Sequence, residues 1–72
     1  MNDTLSTRGY QQRVIDERAD LCRKLEKLDA FMAGPVYEGL PLNEKNRLTV
    51  QRGFMIGYAE VLRQRIEDFG PR

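Results

Sequence analysis

The sequence predicts an all-α protein: two long antiparallel helices with a short Gly/Pro-containing linker, assembled into a compact homo-oligomeric helical bundle. Three observations predict it. Apolar residues recur at steps of three and four through two long segments. Glycine and proline gather between those segments, from Gly34-Pro35 to Gly39-Leu40-Pro41. The second segment carries two apolar stripes where a single partner helix covers one.

Residues 1–8 read as a flexible N-terminus ahead of Gly9, and helix one is placed at 10–33. Within it Val14, Arg18, Leu21, Leu25, Leu28 and Met32 follow at steps of 4, 3, 4, 3 and 4, which keeps them on one stripe that only Arg18 interrupts. Gly34 is positioned as a C-terminal cap, and Pro35 lacks the backbone donor that another turn would need. The linker is placed at 34–42. Helix two is placed at 43–69, with Asn43 as the capping residue, Glu44 at the positive end of the helix dipole and Gly70-Pro71 ending the run. The whole chain, 1–72, is thereby a single helical domain.

Along helix two, Leu48, Met55, Ala59, Leu62, Ile66 and Phe69 form one stripe, while Val50, Phe54, Tyr58 and Val61 form another turned away from it. Two antiparallel helices bury one face each, so the second stripe would remain in water, and self-association is the expected remedy. Gly53 and Gly57 lie four apart, on a face where another backbone could approach closely, although each costs about 1 kcal/mol of helix propensity against alanine.

Composition removes several functions. Twelve basic residues against eleven acidic ones leave a net charge of +1, whereas a general DNA or RNA binder needs a basic excess to displace counterions. Histidine is absent and Cys22 is the single cysteine, so an intrachain disulfide, a Cys/His zinc site and the usual proton shuttle are all excluded. No cofactor or metal is expected. The opening MNDTLSTRGY lacks a secretory pattern and no apolar run spans a bilayer, which reads as a cytoplasmic protein without a membrane partner.

The remaining candidates for chemistry are few. Asp16 and Asp20 alternate with Arg13, Glu17, Arg18, Arg23 and Lys24, the pattern of a solvated, salt-bridged helix face and not of a paired-carboxylate hydrolase. No enzymatic activity is expected, and Cys22 reads as a packing residue. Nine arginines, three lysines and the tyrosines at 10, 37 and 58 are residue types that hold a small anionic, aromatic ligand. The same types also occur on ordinary helix surfaces.

The run Tyr10-Gln11-Gln12-Arg13-Val14-Ile15-Asp16-Glu17-Arg18, with Leu21, Lys24-Leu25-Glu26-Lys27-Leu28 and Ala30-Phe31, resembles the first helix of the phage anti-CBASS cyclic-nucleotide sponges. Leu40-Pro41, Arg47-Leu48, Gln51, Met55, Tyr58, Val61-Leu62, Arg65-Ile66 and Phe69 continue the likeness, which covers about residues 10–69. The resemblance implies a homohexamer in the host bacterial cytoplasm. It would sequester cyclic dinucleotide messengers of CBASS defence, and cyclic trinucleotides at separate pockets, without hydrolysing them. By the same resemblance Tyr10 and Lys24 match dinucleotide-binding positions, and Arg65 matches a trinucleotide-binding one. Glu26 departs from the pattern, since a trinucleotide pocket in the family can present a small hydroxyl residue there, and a carboxylate repels phosphate.

Fourteen residues separate Tyr10 from Lys24, so on one helix they lie only about 40° apart around the axis but roughly 21 Å apart along it. Two copies of helix one running antiparallel would bring Tyr10 of one protomer toward Lys24 of the other, in a two-fold site suited to a two-fold ligand. Arg13 stands near Tyr10 as a further phosphate contact. Other roles stay open: Tyr10 as a staple at the helix start, Lys24 paired with Asp20 at i, i+4, and Arg65 as an exposed side chain. For the protein as a whole, the alternative is a structural or adaptor oligomer whose exposed stripe docks a partner helix.

Overall fold

The computed structural model describes the backbone of residues 2–69 and the side chains of residues 9–69. Three helices follow one another: α1 (Asn2–Met32), α2 (Pro35–Glu38) and α3 (Leu42–Glu67). The long α1 and α3 pack antiparallel, as the pairs Tyr10 with Arg65 and Asp29 with Arg52 show.

Several boundaries differ from the sequence-based expectation. Helix α1 begins at Asn2 and not at residue 10, so Gly9 lies within it and Tyr10 sits about two turns inside, where it cannot staple the helix start. Residues 2–8, expected as a flexible N-terminus, are helical in their backbone, while the stop at Gly70-Pro71 lies outside the described residues. At the other end of α1, Gly34 is not a left-handed cap. Its φ of −99° and ψ of 174° are extended, the conformation that a following proline favours. The helix closes instead through Ala33 N–H donating to Asp29 O at 3.1 Å and Gly34 N–H donating to Phe31 O at 3.0 Å.

The expected linker contains a helical turn of its own, since Pro35 at the first positions of α2 is preset for helix and has no amide to leave unpaired. Phe31 and Tyr37 meet edge to face at 6.5 Å, and Lys45 Nζ stands 5.5 Å from the Tyr37 ring, fastening α2 to both long helices. Asn43 does not cap α3. The cap is Pro41, whose carbonyl accepts from the amides of Glu44 and Lys45 at 3.0 and 3.1 Å; no side chain contributes. Helix α3 ends at Glu67, two residues before Phe69, which stays in a turn with its amide bonded to Ile66 O.

The core is one seam. Val14 and Leu21 from α1 meet Ala59 and Leu62 from α3, with Leu25, Met55, Ile66 and Phe69 packed around them. Arg18 interrupts this seam as its place in the stripe requires, and its Nε finds no hydrogen-bond partner among the described residues. Such a core is small for the chain. The radius of gyration is 16.6 Å, where a compact domain of this length has about 11 Å. No helix among the described residues is long and apolar enough to cross a membrane.

The two stripes of α3 part as their phases require. Leu62 is 0% exposed, whereas Phe54 is 75%, Val50 56%, Val61 51% and Tyr58 44% exposed. One protomer buries the first stripe and leaves the second uncovered.

Candidate ligand-binding site

Arg13, Asp16, Glu17, Asp20, Leu21 and Lys24 fall at i, i+3, i+4, i+7, i+8 and i+11 along α1, one continuous face. Together with Tyr58 from α3 they line an open groove of about 460 Å3. The seam beneath fixes its geometry: Leu21 points into the core and also floors the groove, and Tyr58 precedes the buried Ala59. Two of the expected contact residues, Arg13 and Lys24, therefore share one concavity. Tyr58, which the sequence places in the second apolar stripe, supplies an aromatic wall that residue spacing on α3 alone does not reveal. Finding it requires the register between the helices.

Charge in the groove is mixed. Asp20 is ion-paired with Arg23 and Asp16 accepts from Gln12 Nε2 at 2.9 Å. Lys24 makes no ion pair with Asp20, whose Oδ1 pairs with Arg23 instead. Of the acidic lining residues, Glu17 makes no hydrogen bond or ion pair among the described residues.

Tyr10 lies elsewhere. Its hydroxyl accepts from Arg65 Nη2 at 2.5 Å, the guanidinium carbon stands 5.5 Å from its ring centroid, and Phe69 meets the ring edge to face at 6.1 Å. Tyr10 is about half exposed. Tyr10 and Arg65, matched by resemblance to pockets for different ligands, are thus in direct contact within one protomer. Tyr10 and Lys24 remain apart along α1, as their separation in sequence requires. Glu26 is an exposed residue of α1, sixteen positions and roughly 24 Å from the level of Tyr10, so one protomer does not bring it to Arg65.

Beside these groups lies a second charged cluster on α3. Hydrogen bonds from Arg63 and then Gln64 hold the Glu60 carboxyl down at about 2, with the charges of Arg63 and Arg18 adding to the effect. The same carboxylate, together with Glu67, raises the Arg63 guanidinium further above its already high value. These groups are exposed and form i, i+3 and i, i+4 pairs, so they support α3 and stand apart from the groove. Another open concavity, of about 630 Å3, lies over the Asp29–Arg52 pair near Met32, Thr49 and Gly53 and contains none of the expected contact residues.

Fold and groove define an all-α helical hairpin with a basic, acidic and aromatic surface groove and an uncovered apolar stripe. The chain belongs to the Sequestin family: the family model described as Sequestin matches residues 8–68. That name suggests a sequestering role. No curated protein and no solved structure matches the chain.

Proposed function

We propose that the protein is a non-hydrolysing sponge: a homo-oligomer, a homohexamer by the resemblance of its helices to the phage anti-CBASS proteins, that sequesters cyclic dinucleotides and so blocks CBASS signalling. The observation that carries this reading is the position of Tyr58. It belongs both to the groove that holds Arg13 and Lys24 and to the uncovered stripe with Phe54 and Val61. A second copy that covers the stripe also walls the groove, so assembly and ligand site are one event.

The chemistry fits a small ring better than a polymer. Arg13 and Lys24 offer charge-assisted bonds to phosphate, about 1.5–3 kcal/mol each, and an aromatic ring adds about 1–3 kcal/mol per stacked base. Duplex DNA or RNA would present many phosphates to Glu17 and its neighbouring carboxylates and gain little from a chain of net charge +1. Tyr10 and Lys24 act on one ligand from two protomers. Dinucleotides are favoured over trinucleotides, since Arg65 is engaged with Tyr10 and, by the resemblance, Glu26 would bring a repelling carboxylate to a trinucleotide pocket.

Calorimetric titration with cyclic di-AMP, cyclic di-GMP and cyclic GMP–AMP tests this directly, with light scattering for molar mass and chromatography of the released ligand. Saturable binding by an oligomer that returns the nucleotide unaltered is expected. A monomer that binds none of the three, or a hydrolysed product, overturns the reading. The uncovered stripe also suits a partner helix, and a stable heteromeric complex without nucleotide would favour that adaptor role.

A further inference from the structure

The sequence resemblance gives Arg65 a ligand of its own, yet its position points to a different role. We infer that Arg65 is a positioning residue for Tyr10, holding the ring as a preorganised stacking face for a nucleobase. This rests on the proposed sponge function and specifies how one of its contacts is built.

Three contacts meet at the Tyr10 side chain. Arg65 Nη2 donates to the hydroxyl at 2.5 Å, its guanidinium carbon lies 5.5 Å from the ring centroid, and the Tyr10 and Phe69 ring centroids stand 6.1 Å apart in an edge-to-face arrangement. Hydrogen bond, cation–π contact and edge-to-face packing each restrict a different motion of the same side chain. Tyr10 nevertheless stays about half exposed as a residue, which leaves side-chain surface that a base could meet. Arg65 itself is anchored by its helix, between the packed seam residues Leu62, Ile66 and Phe69. A tyrosine free to rotate would have to be ordered when the ligand binds, whereas one already held avoids that loss.

The role separates from a direct phosphate contact by its dependence on Tyr10. Removing Arg65 should weaken cyclic dinucleotide binding about twofold to tenfold, the loss expected from unfastening one side chain. Replacing Tyr10 by alanine should make Arg65 irrelevant, because there is then nothing to position.

Arg65→Ala, Tyr10→Ala, Tyr10→Phe and the double variant Tyr10→Ala/Arg65→Ala test this by titration with cyclic di-AMP, cyclic di-GMP and cyclic GMP–AMP. Arg65→Ala and Tyr10→Phe should each weaken binding, and the double variant should bind as Tyr10→Ala does. An Arg65→Ala loss of equal size in the Tyr10→Ala background would make Arg65 a ligand contact and overturn the inference. A second readout needs no ligand: side-chain couplings of Tyr10 by NMR should show one rotamer in the unaltered protein and averaging in Arg65→Ala, at unchanged helicity. An equally ordered ring in both proteins refutes the positioning role, whereas absence of any nucleotide binding by the unaltered chain refutes the sponge function.

Discussion

Arg52 Nε on α3 donates to Asp29 Oδ1 on α1 at 2.5 Å, the one ion pair among the described residues that joins the two long helices. Asp29 raises the Arg52 guanidinium further by this hydrogen bond and by its charge, yet both side chains are largely solvated, so salt and water screen the attraction. The seam residues at the other end of the hairpin have no such exposure. Leu62→Ala is expected to cost about 2–5 kcal/mol, whereas Arg52→Ala should move a denaturation midpoint by only a small fraction of that shift. Urea unfolding of the two variants side by side checks the ranking.

Acid should weaken the fold through Glu60. Its carboxyl is lowered from 4.5 to about 2 in the folded chain by Arg63 and Gln64, so above pH 4.5 it is ionised in both states and its stabilising contribution is fully present. As pH falls from 4.5 toward 2, the unfolded chain takes up the proton first and that contribution is progressively lost. Glu60→Gln should flatten the slope of stability against pH in this window, with the variant less stable than the unaltered chain at neutral pH and the two converging as pH approaches 2. Repeating the measurement at high salt should shrink the difference, because the pair is exposed.

Much of this fold is legible in the sequence because its cause is periodic. The 4-3 spacing from Val14 to Met32 selects the seam, and the split between the Leu62 and Phe54 stripes foretells which residues remain in water. What sequence does not carry is the relation between helices. Pro41 caps α3 in place of Asn43 because the chain enters from Gly39-Leu40-Pro41 with its carbonyl already aligned, a matter of path and not of residue preference. Tyr58 beside Arg13, and Arg65 upon Tyr10, depend on the antiparallel register, which sequence spacing along either helix leaves undetermined.

Glu17 gives the groove its most direct charge test. It lines the same concavity as Arg13 and Lys24, and it makes no hydrogen bond or ion pair among the described residues, so it would repel a phosphate bound as proposed. Glu17→Gln is expected to tighten cyclic dinucleotide binding severalfold, with Lys24→Ala moving it the opposite way. Calorimetry on both variants reads the two signs. Equal weakening by both would place the phosphates outside this groove.

A charge inside the uncovered stripe should separate assembly from folding. Phe54 is the most exposed large apolar residue described and contributes nothing to the seam, so Phe54→Glu should leave the hairpin helical. In an assembly, however, the same carboxylate would be buried against a neighbour without a partner, at a cost that dissociates the contact. Sedimentation velocity is expected to give a monomer with circular dichroism unchanged, and cyclic dinucleotide binding should fall with the mass. Retention of the oligomer would place the contact on another face.

Gly53 and Gly57 offer a second test of the proposed contact between copies. A Cβ built at either position meets nothing within 4 Å, so no part of the same chain requires a glycine there. Within an isolated hairpin, alanine at each should remove about 1 kcal/mol of helix-propensity cost and raise the melting temperature. The glycines stand beside Phe54 and Tyr58 on α3, where a neighbouring backbone could come close enough that a methyl group obstructs it. The double variant Gly53→Ala/Gly57→Ala is therefore expected to stay helical while its molar mass by light scattering falls at concentrations where the unaltered chain is assembled. A variant that melts higher and keeps its assembled mass would show that neighbouring copies meet elsewhere on the stripe.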